Sequence, residues 1–390
     1  MRQLYLAATG QNRGKTTAAL GLFDGFVQKG LNAGFMKPVG QRTVIDQGEP
    51  ADEDAVLMRV TFDLQEPYSV LSPVHIPRGF TKAYIAGKVV EDLGAKVARA
   101  HAMFAGHDVL LIEGTGHAGV GAVIGLSNAV VAARLGAPAI IVSEGGVGRP
   151  IDEIVLNASL FAREGVPVAG AIVNKVDVKA QPGIEKVLER GLAPYDIPLL
   201  GILPVQPILS NPTLEMILEG VHGETLHPGP DLERVIDGVA IGAMEPGHML
   251  ERVGPGTLVI VPGDREDVIL TLTTAHLMGV PRTATTEELT SPTLELDNGH
   301  AGAAIGLVLT GGYRPRKAVI EAIRRADLFA TLVPNDTYTV ASEVHDLLVK
   351  THAADLEKIE LIKELVSNNL DIDRILGVAT EARRAEGPSG

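Results

Sequence analysis

Leu4-Tyr5-Leu6-Ala7-Ala8-Thr9-Gly10-Gln11-Asn12-Arg13-Gly14-Lys15-Thr16-Thr17 is the stretch that decides the fold. A short, mostly apolar strand runs into a glycine-bearing loop, and Ala18–Lys29 then has the length and composition of a helix. Strand, loop and helix in that order make a phosphate cradle. The backbone N–H groups of Gly10, Gln11, Asn12, Arg13 and Gly14 and the positive end of the helix face an anion. Lys15 adds a point charge toward the β/γ phosphates, and the Thr16 hydroxyl, followed by Thr17, can ligate Mg²⁺. The spacing departs from Gly-x-x-x-x-Gly-Lys-Ser/Thr in one respect. Thr9 stands where the first glycine belongs, and Gly10 comes one place later.

The same alternation of apolar runs with helix-length segments continues to about residue 215, which predicts a parallel sheet with helices on both faces. The expected strands are Gln3–Ala8, Asn32–Lys37, Val109–Glu113, Ala139–Ser143, Val168–Asn174 and Leu199–Leu203. They are apolar throughout rather than alternating, as strands covered on both faces are. Ligands of such sheets bind outside the carboxyl ends of the strands, so the residues there matter most.

Val109-Leu110-Leu111-Ile112-Glu113-Gly114-Thr115-Gly116 is an apolar strand ending in a carboxylate. Glu113 offers a hard oxygen ligand for Mg²⁺, and the glycines after it let backbone approach a substrate. Asp52, Glu53 and Asp54 precede a helical run, Ala55–Val60, and serve either as N-terminal caps or as metal ligands. Ile172-Val173-Asn174-Lys175-Val176-Asp177 closes a later strand. Asn174 can pair with a base edge, and Asp177, oriented as in small GTPases, would accept from guanine, which leaves ATP and GTP both open.

Composition narrows the class. A chain of 390 residues suggests two to three domains, and 45% hydrophobic with 21% charged residues argues against disorder and coiled coil. Lys+Arg 34 against Asp+Glu 48 gives a net charge of -14, the wrong sign for a nucleic-acid or anionic-membrane partner. No run approaches the roughly 18 consecutive apolar residues of a membrane span. Leu4–Ala8 is too short for a signal-peptide core, so a cytoplasmic protein is expected. With no cysteine, disulfides, thiolate zinc sites, iron–sulfur clusters and a cysteine nucleophile are excluded. The 11 histidines show no His-Glu-x-x-His spacing, and no protein-ligated transition metal is expected.

Residues 220–231, rich in Gly and Pro and without period, read as a linker between residues 1–219 and a second α/β unit over 232–352. In that unit strands are expected near Thr257–Val261, Ile305–Leu309 and Ala330–Val333, and helices near Arg265–Met278, Pro315–Arg325 and Thr339–Leu348. Residues 353–390 read as a C-terminal helix and tail. Asp355–Asn368 is amphipathic, with Leu356, Ile359, Ile362, Leu365 and Val366 on one face, and Arg383–Gly390 looks frayed. Asp264, Arg265, Thr310, Gly311 and Gly312 fall at carboxyl ends of strands. They suit either an anion-bearing small ligand or turn and capping chemistry.

On these motifs the first domain resembles the dethiobiotin synthetase branch of P-loop enzymes. The matching stretches are Thr9–Thr17, Phe35-Met36-Lys37-Pro38-Val39, Asp54-Ala55-Val56-Leu57, Ile112-Glu113-Gly114 and Asn174. The resemblance implies that Lys15 and Lys37 flank a transferring phosphoryl group, with Thr16, Asp54 and Glu113 around Mg²⁺. It also implies a homo-oligomer. Two departures fall where the diamine substrate would lie: Gly40-Gln41-Arg42 in place of a Ser after Lys-Pro-Val, and Thr115-Gly116-His117 in place of Ala-Gly-Gly.

The second domain resembles the DRTGG domain through Pro262-Gly263-Asp264-Arg265, Leu309-Thr310-Gly311-Gly312-Tyr313 and Asn335-Asp336-Thr337-Tyr338. The two in this order look like the N-terminal region of long bacterial phosphotransacetylases, where they are regulatory and precede the acetyltransferase domain. Only a helix and a tail follow here, so acetyl transfer by this chain alone is not expected. The expected fold is therefore α/β: a P-loop NTPase-type parallel sheet with helices on both faces, followed by a smaller α/β DRTGG-like domain. The expected function is a Mg²⁺-dependent ATP- or GTP-binding regulatory protein, a sensor ATPase whose second domain takes a small metabolite or contacts a partner. The alternative is an ATP-dependent ligase that phosphorylates a carbamate or carboxylate, and a scaffold with an inactive phosphate loop is a third reading.

Overall fold

A computed structural model describes residues 1–278, 304–345, 347 and 349–385. The chain divides into two compact units, Met1–Gln206 with Thr351–Gly390, and Pro207–Lys350.

The first unit is built on β1 (Arg2–Ala8), β2 (Ala33–Met36), β3 (Val109–Glu113), β4 (Ala139–Glu144), β5 (Val168–Val176) and β6 (Leu199–Pro204). All six are parallel, in the order β6-β5-β4-β1-β3-β2. Leu4–Ala8, Val109–Ile112 and Ala139–Val142 are buried, which is why these strands read as unbroken apolar runs. Chain order reverses at β1, with β2 and β3 on one side and β4 to β6 on the other. A crevice therefore opens at the carboxyl end of β1. Register levels the strand ends that face it, pairing Leu6 with Glu113, Ala8 with Val142 and Glu144 with Asn174. Between β2 and the helix Glu53–Phe62 the chain makes an antiparallel hairpin, Thr43–Asp46 with Glu49–Asp52, that sequence reading does not anticipate.

The second unit carries β7 (Glu224–His227), β8 (Gly238–Ile241), β9 (Thr257–Pro262), β10 (Gly306–Thr310) and β11 (Phe329–Leu332), in the order β7-β11-β10-β9-β8. Four are parallel, and β7 runs antiparallel on the β11 edge. Helices cover both faces. Val268, Ile269, Val319 and Ile323 share one cluster with Val259, Leu307 and Leu309, and Leu214, Ile217 and Val340 share another with Leu258, Ile260 and Val308.

Two boundaries differ from the sequence reading. Residues 220–231 are not a free linker, because Glu224–His227 is strand β7, paired with β11, and the preceding helix Leu214–Val221 packs into the second unit's core. The Gly and Pro residues bracket a short edge strand rather than mark a tether. Residues 353–390 are likewise not an appendage. Leu356–Asn369 and Ile372–Ala385 are both helices, and both belong to the first unit. The helix expected over Thr339–Leu348 runs Thr337–His345, and Leu348 lies outside the described residues. The helix Ile372–Ala385 takes in the start of the expected tail, whose residues 386–390 also lie outside them.

Gly21 and Gly25 explain how the C-terminal helices dock. Glycine inside a helix costs about 0.5–1 kcal/mol relative to alanine, so two in Lys15–Gln28 imply a close approach. A Cβ on Gly21 would lie 2.3 Å from Val366, and one on Gly25 2.9 Å from Ile372. Ile359, Ile362, Leu365 and Val366 are buried, and Lys29–Asp373 at 2.7 Å and Lys363–Asp24 at 3.8 Å flank the contact. Gly21→Val should therefore overpack this seam and cost about 1–3 kcal/mol, read as a lower melting midpoint with faster amide exchange over 356–369. An unchanged midpoint would contradict the docking.

Among the described residues, no helix is long and apolar enough to cross a membrane.

Candidate functional site

The crevice at β1 gathers residues that are far apart in sequence. After Ala8 the chain turns through Asn12 (φ 57°) and Gly14 (φ 87°), both left-handed, into the helix Lys15–Gln28. A Cβ on Gly14 would lie 1.8 Å from Asn174 Nδ2, so this position takes glycine for space as well as for φ. Gly14→Ala should break the loop's contact with Asn174, with loss of nucleotide binding as the readout. Thr9, in place of the first glycine, sets its hydroxyl 3.2 Å from that of Ser143 on β4.

Lys15 is only 9% exposed and makes no hydrogen bond or ion pair among the described residues. Burial first, and then the nearby Lys37 ammonium, push its pKa down to about 8. Lys37, just beyond β2, is the opposite case. Burial alone would lower it, but Asp54 and Glu113 hold it above the ordinary lysine value. Its ammonium pairs with Asp54 Oδ2 and donates to Glu113 Oε1 at 2.9 Å.

Glu113 is fully buried, and burial raises it to about 7 despite Lys37. Asp54 is half-buried, which raises its carboxyl, yet Lys37 outweighs that and holds it below the usual range. The Thr16 hydroxyl lies 3.2 Å from both Asp54 Oδ1 and Glu113 Oε1. Glu113 Oε2 is buried with no hydrogen-bond partner. Thr16, Asp54 and the orphaned Glu113 oxygen form a hard-oxygen set suited to Mg²⁺, a cation that takes few protein carboxylates and keeps phosphate and water ligands. Among the described residues no cluster of three or more His, Asp or Glu offers a fuller protein cage.

The acidic run 52–54 divides its roles. Asp52 caps Glu53–Phe62, Oδ1 accepting from Asp54 N at 3.1 Å, Glu53 pairs with Arg42 at 3.3 Å, and Asp54 turns into the site. Sequence reading of the run alone does not separate these three.

It also misses the residues that hold the loop after Glu113. Asn128 Oδ1 accepts from Tyr5 Oη at 2.9 Å and Thr115 N at 3.0 Å, while its Nδ2 donates to the Thr115 and His117 carbonyls, each at 2.7 Å. Asn157 Oδ1 accepts from Ala118 N at 2.8 Å. Asn128 opens the helix Asn128–Leu135, which is its one sequence-level signal, and Asn157, inside the helix Gly148–Arg163, leaves none.

On the other flank, Asn174 is buried and its Nδ2 donates to the Arg13 carbonyl at 3.3 Å, so its amide supports the phosphate loop. Asp177 is exposed and closes its own turn, Oδ1 accepting from Lys179 N and Ala180 N.

In the second unit the candidate residues meet at the ends of β9 and β10, where Gly263 N donates to the Thr310 carbonyl at 3.0 Å. Gly311 (φ 80°) and Gly312 (φ 68°) are left-handed, and a Cβ on Gly263 would lie 1.8 Å from the Tyr313 carbonyl. The Thr310 and Thr337 hydroxyls are 2.7 Å apart. Arg265 bonds Asp267 and the Met244 carbonyl, and Asp264 is exposed.

An all-parallel sheet with a glycine-bearing loop at its switch point, a lysine and a threonine opening the next helix and a carboxylate on the adjacent strand defines a P-loop NTPase-like domain. A family model described as an AAA domain matches residues 2–213, and one described as a DRTGG domain matches residues 216–347. The chain belongs to the dethiobiotin synthetase-like P-loop family and carries a DRTGG domain.

Among its relatives is the phosphate acetyltransferase of Pseudomonas putida, 28% identical over 391 residues, an alignment covering 95% of this chain and 51% of that protein. The chain thus spans about half the length of the phosphate acetyltransferases it matches. The ATP-dependent dethiobiotin synthetase of Anaeromyxobacter dehalogenans is 30% identical over 215 residues, covering 54% of this chain and 93% of that enzyme. The Aquifex aeolicus cell division protein MinD aligns with 54% of this chain and 84% of its own at 14% identity, with a TM-score of 0.35.

Proposed function

We propose that the first unit binds a Mg²⁺–nucleoside triphosphate, ATP or GTP, and that the chain acts as a regulatory NTPase whose second unit takes a small anionic metabolite. Lys15 carries this reading. A buried ammonium with no hydrogen bond or ion pair is costly, Glu113 and Asp54 only partly offset its burial, and a phosphate in the cradle would supply the charge it lacks. Lys37 already has two carboxylates and has no such need. Thr16, Asp54 and Glu113 would hold Mg²⁺, which when bound neutralises charge on the β/γ phosphates. The working form is taken to be a homo-oligomer, which light scattering after gel filtration checks.

A second reading, a ligase of the dethiobiotin type, is favoured by the Anaeromyxobacter relative and by two lysines within one crevice. Two features weigh against it. A Cβ on Gly40 would lie 2.6 Å from Asp52 Oδ2, so the stretch Gly40-Gln41-Arg42, which replaces the serine-bearing segment of those enzymes, starts closed against the Asp52 side chain. The Thr115 hydroxyl is bonded to the Val39 carbonyl. Phosphate release with Mg²⁺–ATP and Mg²⁺–GTP, with and without diaminopelargonate and bicarbonate, separates the readings. Slow release indifferent to those additions is expected, and strong stimulation would establish the ligase instead.

A further inference from the structure

Glu144 belongs neither to the phosphate contacts nor to the metal set, yet it lies between two loops of the site. It ends β4 level with Asn174 on β5, while on the other side β4 runs beside β1, whose end opens the phosphate loop. Each of its carboxylate oxygens serves one loop. Oε2 pairs with Arg13 of the phosphate loop, and Oε1 pairs with Lys175 Nζ at 2.9 Å. Lys175 Nζ also donates to the Asn12 carbonyl at 3.2 Å, and Asn174 Nδ2 to the Arg13 carbonyl at 3.3 Å.

The backbone joined in this way is held in uncommon conformations. Asn12 (φ 57°) and Lys175 (φ 54°) are left-handed residues with side chains, a state that persists where surrounding contacts hold it. Glu153 gives Arg13 a second anion at 3.9 Å but is itself engaged by Arg149 at 2.7 Å. Among the described residues, Glu144 is the only side chain paired with cations of both loops.

We propose that Glu144 is a positioning residue that ties the phosphate loop to the loop after β5, so that the phosphate cradle and the base-side turn Asn174–Asp177 form one rigid receptor. This rests on the nucleotide reading above. Without the carboxylate, Lys175 loses its ion pair, Arg13 keeps only the more distant Glu153 at 3.9 Å, and the loops move apart. The phosphate groups still find positive charge, whereas a ligand that spans both loops loses its fixed geometry.

The test compares wild type, Glu144→Gln and Glu144→Asp as full chains, with Mg²⁺ and three probes: ATP, GTP and inorganic tripolyphosphate. Glu144→Gln should weaken the preferred nucleotide about tenfold, the scale of one charge-assisted hydrogen bond, with tripolyphosphate changed less than about twofold. Glu144→Asp should recover part of the loss. Equal loss for nucleotide and tripolyphosphate, or none, would overturn the proposal. Amide exchange of the ligand-free chain gives a second readout. Glu144→Gln should quicken residues 10–14 and 174–180 together, and quickening of one segment alone, or of neither, would refute the tie. Should wild type bind neither nucleotide, the nucleotide reading falls, and the exchange result alone decides the role of Glu144.

Discussion

Lys15→Met is expected to abolish nucleotide binding while making the ligand-free protein more stable. Removing one partner of a buried charge pair costs about 2–5 kcal/mol, so affinity for Mg²⁺–ATP or Mg²⁺–GTP should fall on the order of a hundredfold or more. Stability should move the other way. A lysine lowered from 10.5 to about 8 penalises the fold wherever its ammonium is charged. The penalty is full below about pH 8 and fades as pH rises toward 10.5, so ligand-free wild type should gain stability across that window and the variant should not. At neutral pH the variant's gain should be about 2–3 kcal/mol. Thermal midpoints against pH, with titrations of both proteins, check the two halves, and a variant that is less stable at neutral pH would contradict the picture of a buried cation that nearby carboxylates only partly offset.

Glu113→Gln should trade function for stability through the other charge. Its carboxyl is raised from 4.5 to about 7 chiefly by burial, so the cost of ionising it is absent below about pH 4.5 and fully present above about pH 7. The amide keeps the shape and an acceptor for Lys37 and removes that cost. A rise of about 2–4 °C in the ligand-free melting midpoint is expected near neutral pH. Nucleotide affinity should meanwhile lose most of its dependence on Mg²⁺, because a neutral amide is a poor ligand for a hard cation. Titrations with and without Mg²⁺ measure this. A Mg²⁺ effect as large as in wild type would remove Glu113 from the metal set.

What the sequence made legible follows from how each signal arises. The six strands of the first sheet stand out because both faces are covered, and the phosphate loop because its order of elements is local. β8, with Val239 and Ile241 exposed, is too short and too little buried to leave a pattern. The strand β7 is hidden between glycines and prolines. The convergence of Lys37, Asp54 and Glu113 depends on strand order, which no local pattern states, and only resemblance points to it. The return of Leu356–Asn369 to the helix Lys15–Gln28 is a contact across most of the chain. Gly21 and Gly25 are its trace, and within a helix-length segment two glycines do not by themselves point to a partner across the chain. Glu144 leaves still less, since a strand-end carboxylate is common and its two cations sit in separate motifs.

Isothermal titration of the wild-type chain with Mg²⁺–ATP and Mg²⁺–GTP, beside Lys15→Met, tests the central claim most directly. Saturable binding of one nucleotide per chain in roughly the micromolar range, lost in the variant, is the expected result. No binding of either nucleotide up to about millimolar concentration, or equal binding by the variant, would contradict it.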